Sequence, residues 1–470
     1  MAKTAGKEKS QAEQLKAALL RQTKNSGLTM SEEQIAQSDA FCVDYKTFLD
    51  DAKTEREAVK AVLAVLEKEG FQPFDPQKKY NAGDRVYQNN RGKALVFAVV
   101  GTRPLSNGVN IMASHIDSPR IDLKPVPLYE DSQLALFKTH YYGGIRKYQW
   151  TAIPLALHGT VVRKDGSVLD IAVGEDADDP IFCINDLLPH LAKDQNQRKL
   201  FEGIRGEELN VLVGSLPFRD DKISEAVKLN IMRLLNEKYG MIEEDFLSAE
   251  LTMVPAAKAR DIGFDRSLIG AYGHDDRVCA YTSLIASLQN LNPQDTWINI
   301  MADKEEIGST GNTGLDSRFL EYFIADLAKP HGVEGRTVLA HSRCLSADVN
   351  AAFDPTFPEV LERRNAAYIN YGVCITKYTG SGGKSSTNDA SAEFMGEIRT
   401  LLDKAGVIWQ TGELGKVDHG GGGTVAKFVS RLGADVVDLG VPVLSMHAPM
   451  EVVSKLDVYN SYLAFDAFLR

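Results

Sequence analysis

Five short stretches hold the residues whose types and spacing could do chemistry: His115-Ile-Asp117, His274-Asp-Asp276, Glu305-Glu306, Ser346-Ala-Asp348 and Met446-His447. Together they offer imidazoles and carboxylates and no thiol. That donor set suits zinc, manganese or cobalt in a site with open coordination positions. Each stretch also has a plainer reading. A lone histidine on a strand is commonly a hydrogen-bonded structural residue. Glu305-Glu306 could be a solvated strand end, Asp275-Asp276 a helix N-cap with its neighbour, and Asp348 a turn residue. These readings lose force jointly, because five such ends in one fold would be a dense cluster of unpaired charge.

The elements around these stretches must deliver them to one place. Residues 93–101 and 110–117 are short, nearly continuous apolar runs, as in strands buried on both faces. Residues 296–302 form another, ending in Asp-Lys-Glu-Glu, and 436–446 is an apolar run ending at His447. Residues 336–340 and 366–378 predict two more strands. Helical spacing marks 13–20, 275–291, 391–405 and 51–69, the last with Ala58, Val59, Val62, Leu63 and Leu66 on one face and Gly70 as its stop. A closing helix covers 454–469, opened by Ser454 and Asp457 in the manner of a capping box. From about residue 118 to 256 the texture changes: Pro and Gly recur, and 155–162 and 169–173 read as short alternating strands. A polar stretch follows at 193–206, then a helix at 223–238.

Strands alternating with helices imply a mixed or parallel sheet covered on both faces, with ligands gathering at the carboxyl ends of its strands. The predicted architecture is therefore an α/β domain in two pieces, 1–117 and 257–470, with a mostly β domain inserted at 118–256. No repeat with a period of 20–50 residues is visible.

Bulk properties exclude several classes. A net charge of -11 without a basic stripe argues against nucleic acid, and it repels an anionic membrane leaflet. No run of about 18 apolar residues is present, so no membrane span is expected. Cys42, Cys183, Cys279, Cys344 and Cys374 are scattered and odd in number, with no C-x-x-C pair. That argues against a disulfide scaffold and for a reducing compartment. The N-terminus has no apolar h-region, so cytoplasm is the expected location. Only residues 1–11 have the composition of a disordered segment.

Ser114-His-Ile-Asp-Ser-Pro119, Gly273-His-Asp-Asp-Arg277, Asp303-Lys-Glu-Glu-Ile-Gly-Ser309, Ser346-Ala-Asp-Val349 and Ser445-Met-His-Ala448 resemble, in order and spacing, the metal motifs of the M18 metallopeptidases, the aspartyl-aminopeptidase family. The resemblance spans nearly the whole chain. It implies two divalent ions, zinc first with manganese or cobalt as alternatives, sharing Asp275. One ion would also be held by His115 and Asp348, the other by Glu306 and His447. Glu305 would be the general base, and Asp117 would orient His115. The implied activity is removal of single N-terminal residues from short peptides. The alternative on the same site is deacylation of an N-acyl amino acid. The resemblance also implies a homo-oligomer, a dodecameric shell assembled through the insert.

Two further residues follow from the same resemblance. Lys377 in Ile375-Thr-Lys-Tyr378 resembles the family's substrate lysine, although Thr379-Gly-Ser-Gly-Gly383 departs from its usual pattern. His190 in Pro189-His-Leu-Ala192 resembles a histidine that reaches a neighbouring subunit's active site. The glycine-rich Asp418–Thr424 segment resembles the family's stretch near the substrate pocket. Thr379–Ser385 looks like a P-loop, but Tyr378 stands where the motif requires glycine. Neither H-E-x-x-H nor G-x-S-x-G occurs.

Overall fold

The computed structural model describes residues 10–220 and 222–470. Most of the polar start therefore lies outside the described residues. Ser10 itself caps helix Gln11–Leu19 in a reciprocal box with Glu13.

A nine-stranded mixed sheet organises the chain. Its order is Gln72–Pro73, Arg85–Asn90, Ala94–Val99, Trp297–Ala302, Asn110–His115, Arg343–Ser346, Asp435–Gly440, Val373–Thr376, Trp409–Thr411. The strands from Trp297–Ala302 through Asp435–Gly440 are parallel to one another. Alternate side chains feed two cores. Met112, Met301 and Leu345 pack under helices Glu32–Asp51, Glu55–Lys68, His274–Gln289, Ala392–Ala405 and Lys455–Leu469. On the other face Ile111, Ile298 and Ile300 pack under Phe319–Ala328, Gly335–Ala340 and Ala426–Ser430. Covering both faces erases the period-2 pattern and leaves continuous apolar runs.

Several expected elements differ. The helix predicted at 51–69 begins at Glu55, where Thr54 forms a capping box with Glu57. Before it runs a separate helix, Glu32–Asp51, whose buried stripe of Ser38, Cys42, Tyr45, Phe48 and Leu49 mixes polar and apolar types and dilutes the periodic signal. The strand predicted at 336–340 is instead the helix Gly335–Ala340. A short apolar run is ambiguous between a buried strand and a helix turn, and here Arg343–Ser346 is the strand. At the closing helix the Ser454 hydroxyl accepts from Leu456 N–H, and no Ser454–Asp457 box forms. Asp457 is buried and accepts from the N–H groups of Asn370 and Gly372, each at 2.7 Å.

A second sheet of seven antiparallel strands draws all of them from between Arg120 and Pro255, and it packs around its own core of Phe137, Trp150, Leu155, Met253 and Phe246. A small antiparallel sheet of Arg260–Ile262, Leu268–Ala271 and Glu451–Ser454 completes the frame beside the parallel strands. Among the described residues, no helix is long and apolar enough to cross a membrane.

Candidate metal centre

Three of the five stretches leave the carboxyl ends of adjacent parallel strands. Ala302 pairs with His115 and Ser346 with Ala113, so His115, the Glu305-Glu306 pair and Asp348 emerge side by side. Consecutive side chains of a strand point to opposite faces. Glu305 and Glu306 avoid this by sitting in the 3-10 turn Glu305–Ile307, entered through Lys304 at φ 68 and left through Gly308 at φ 94. A left-handed φ of that kind costs glycine little. The small sheet brings the other two stretches. Asp275 lies in the first turn of His274–Gln289, directly after Leu268–Ala271, and its peptide bond to Asp276 is cis. His447 precedes Glu451–Ser454, at φ 66.

The side chains converge on Asp275. His115 Nε2 is 3.1 Å from Asp275 Oδ1 and 3.9 Å from Asp348 Oδ1. His447 Nε2 is 3.1 Å from Asp275 Oδ2 and 3.5 Å from Glu306 Oε2. Two triads result, His115–Asp275–Asp348 and Asp275–Glu306–His447, each with its donor atoms within 4.8 Å of one another. Glu305 approaches His115 Nε2 at 3.9 Å, and His115, Glu305 and Glu306 also meet the same spacing.

The donor set fits divalent ions. His115 Nε2, Asp275 Oδ1 and Glu306 Oε1 are buried and make no hydrogen bond, although the first two are only 3.1 Å apart. An orphaned buried polar atom costs roughly 1–3 kcal/mol, and cations bound in the two triads would offset that for all three. Burial, together with the negative charges of Asp275 and Glu305, holds the Glu306 carboxyl well above its usual range. Burial and the neighbouring Asp276 do the same for Asp348. Asp275 is held low, because its two imidazole neighbours outweigh its burial. Burial pushes Glu305 up to about 7, Asp117 and Asp275 adding to the shift and His115 and His447 opposing it.

The ring orientations agree with this reading. His115 Nδ1 donates to the Asp117 carbonyl at 3.0 Å and lies 3.4 Å from Asp117 Oδ1. His447 Nδ1 donates to the Gly144 carbonyl at 3.1 Å. Both rings thereby present Nε2 to the cluster, the usual way a ligating histidine is fixed by its other nitrogen. Asp117 does more than face His115: its carboxylate accepts the N–H groups of Glu305 and Glu306 at 3.1 and 3.2 Å.

The stretch His274-Asp275-Asp276 divides its labour. His274 accepts no role at the cluster; it meets the Tyr45 hydroxyl at 2.7 Å and the Ile269 carbonyl at 3.2 Å, and burial drops it to about 3. Asp276 accepts the N–H of His115 at 3.3 Å. Sequence reading missed Glu451. This carboxylate is 1% exposed and accepts the N–H of Asp275 at 2.9 Å with one oxygen and that of His447 at 2.6 Å with the other. Its signal was an acidic residue four positions after His447, at the head of a strand.

The structure leaves Lys377 and His190 outside the cluster. Lys377 ends a strand antiparallel to Asp435–Gly440, which carries it toward the Asp435 end and away from Gly440, where Asp348 stands; its ammonium pairs with Asp389. His190 is exposed in a turn between Leu188 and Leu191. Lys384 of the P-loop look-alike pairs with Asp389 at 3.0 Å and opens no helix. The 418–424 glycine segment packs against that turn, Gly422 N–H donating to the Thr379 carbonyl at 2.9 Å.

The family model described as "Aminopeptidase I zinc metalloprotease (M18)" matches residues 48–469. The chain belongs to the M18 family. A probable M18 family aminopeptidase 1 of Clostridium acetobutylicum is 49% identical over 460 residues, covering 96% of this chain and 99% of that one. The corresponding Thermotoga maritima protein is 47% identical over 438 residues, covering 92% and 96%. Among solved structures, the M18 aminopeptidase of T. maritima superposes with a TM-score of 0.90 at 45% identity, covering 96% of this chain and 99% of that one. Aminopeptidase I of C. acetobutylicum gives 0.90 at 46% identity, covering 96% and 100%. This M18 chain is accordingly an α/β zinc-dependent aminopeptidase, a hydrolase, and its converging imidazoles and carboxylates form groups that could hold a metal ion.

Proposed function

We propose that this M18 enzyme releases single N-terminal residues from short peptides at a two-metal site, with Glu305 as its general base. The observation that carries the reading is Asp275, which turns one oxygen to each of two imidazole-carboxylate triads. His115 and Asp348 complete one site, Glu306 and His447 the other. When bound, two zinc ions, or manganese or cobalt in their place, supply Lewis acidity for the scissile carbonyl and for the attacking water.

The residues supply the rest. Glu305 belongs to neither Asp275-centred triad, so its carboxylate is free to take the proton of the attacking water. It then returns that proton to the departing amine as the C–N bond breaks. Asp117 holds His115 and the backbone of the Glu305–Ile307 turn, which keeps the base aimed. The acidic cluster favours a free, cationic α-amine. An N-acyl amino acid brings no such cation, and the relatives' names are aminopeptidases, so deacylation is the weaker reading.

Residues 118–256, as a unit of assembly, suit the exposed apolar surface around His190: Leu187, Leu188, Leu191, Leu200 and Phe201 are all open to solvent. A second copy of the chain would cover them and bring His190 toward a neighbouring site. A solved relative at 21% identity is described as a dodecamer. The five cysteines are free, which fits a cytoplasmic setting.

Glu305→Gln tests the central assignment. Turnover of an aminoacyl chromogenic substrate falls by about 10²–10⁴-fold while metal content, read by mass spectrometry, stays at wild-type level. Equal loss of metal and turnover would show that base and ligand have been confused. The same assay with an N-acetylated substrate, with chelator, and with zinc, manganese or cobalt added back separates aminopeptidase from deacylase and identifies the working ion.

A further inference from the structure

The seven-stranded sheet supplies no member of either triad, yet one of its strands ends inside the site. Strand Leu134–Tyr142 delivers Tyr142, Gly143 and Gly144 in succession, and each meets a different part of the cluster. The Tyr142 hydroxyl donates to Asp117 Oδ2 at 2.8 Å, the carboxylate that also accepts the N–H groups of Glu305 and Glu306. Gly143, at φ +74, lies where a Cβ would come within 3.3 Å of Glu306 Cβ. The Gly144 carbonyl accepts from His447 Nδ1, and a Cβ there would stand 3.3 Å from that nitrogen. The Tyr142 ring is held from behind: the Arg120 guanidinium lies 4.1 Å from its centroid and donates to Glu55 at 2.9 Å and Asp122 at 2.8 Å.

We propose that Tyr142 is a positioning residue for hydrolysis: through Asp117 it fixes the turn that aims Glu305, while Gly144 fixes the ring of His447. A carboxylate has about four acceptor directions. In Asp117 three are taken by the Tyr142 hydroxyl and two backbone N–H groups, and the His115 ring lies against the same carboxylate. Removing the hydroxyl leaves the Asp117 carboxylate tied only to the turn it is meant to hold and to the His115 ring, so the carboxylate and the turn can shift together. Small displacements of a proton-transferring group are costly, since about 1 Å of misplacement can lower a rate 10²-fold. The arrangement makes the second sheet a working part of a site to which it gives no ligand.

This inference rests on the reading of Glu305 as base. The test is Tyr142→Phe in the full-length, zinc-loaded enzyme. The expected result is kcat down by about 10–100-fold, with KM within about twofold because binding is not what is lost. Metal content and the thermal midpoint stay at wild-type values. In a cycle with Asp117→Asn, the double variant is no slower than Asp117→Asn alone, because the hydroxyl acts only through that carboxylate. Gly144→Ala, which crowds His447, weakens zinc retention instead. A Tyr142→Phe enzyme with wild-type kcat would overturn the proposal, as would a loss that tracks metal content or unfolding, or effects that multiply in the cycle. Glu305→Gln run alongside keeps the two ideas apart: if it retains turnover, the base assignment falls; if it is dead while Tyr142→Phe is fully active, only the positioning role falls.

Discussion

In the nine-stranded sheet every residue of Asn110–His115 and Trp297–Ala302 is buried. In the seven-stranded sheet Leu134–Tyr142 alternates, with Ala135, Phe137 and Thr139 buried between more open neighbours. A charged side chain in the middle of a doubly covered strand would be desolvated without a partner. The large sheet therefore places its chemistry only where strands stop and two cores give way to a cleft. Strand Leu134–Tyr142, open on one face, has no such restriction and sends Tyr142–Gly144 inward to the candidate metal centre. The connection between Cys183–Ile184 and Val211–Gly214 turns Leu191 and Phe201 outward, 71% and 76% exposed.

The sharpest way to break this contrast is at Asp275. If the strand-end ligands depend on one shared carboxylate, Asp275→Ala releases both ions together, and activity drops to that of chelator-treated enzyme. Elemental analysis showing a full complement of metal would refute the bridging role. Glu451→Gln is a milder probe of the same region. An amide places an NH2 group against one of the two N–H groups that the carboxylate now accepts, so the Asp275–His447 arrangement loosens. Metal affinity is expected to fall about 10–100-fold, recovered at high zinc, and an unchanged affinity in a competition titration would remove Glu451 from the site.

The exposed connection between Cys183–Ile184 and Val211–Gly214 gives the third probe. Leu191→Glu with Phe201→Glu should leave metal content intact and shift the enzyme to a smaller species in analytical ultracentrifugation. An unaltered sedimentation coefficient would mean that these side chains face no second copy.

Much of the candidate metal centre was legible because its residues sit where an apolar run meets a charge, and that boundary is printed in the sequence. His115, Glu305 and Glu306 end or follow strands whose continuous hydrophobicity betrays double burial, whereas the strand before Asp348, Arg343–Ser346, was read at 336–340 instead. Asp275 and His447 were picked out by residue type, His447 also as the end of the apolar run 436–446, but the small sheet that positions them was announced by no pattern. Glu451 and Tyr142 stayed hidden for a related reason. Glu451 accepts the backbone N–H of Asp275 as well as that of His447, Tyr142 donates to the Asp117 carboxylate, and one-dimensional spacing does not encode such partners. The helix Gly335–Ala340 was misread because six residues are too few to separate a buried turn of helix from a strand.

The smallest effect expected concerns the seam between the two sheets. His158, on strand Leu155–Val162, is 3% exposed and bonds Glu57 through Nδ1 at 2.7 Å and Glu175 through Nε2 at 3.0 Å. Glu57 belongs to the helix Glu55–Lys68 that covers the large sheet, and Glu175 also takes the Lys53 ammonium at 2.7 Å. Burial lowers the pKa of His158, but its bonds to Glu175 and Glu57 outweigh that and hold it above the ordinary value of 6.5. The charged imidazole thus stabilises the folded seam. That contribution is complete below the unfolded pKa, about 6.5, and is lost as the pH rises through the higher folded value. His158→Gln should therefore unfold earlier than wild type at pH 6, by on the order of 2–4 °C for each 1 kcal/mol removed in a domain of this size. The gap should narrow as the solution is made alkaline, while kcat per bound metal stays the same. A difference in thermal midpoint that is constant from pH 6 to pH 9 would mean that the ring holds the two sheets together by shape and neutral hydrogen bonds alone.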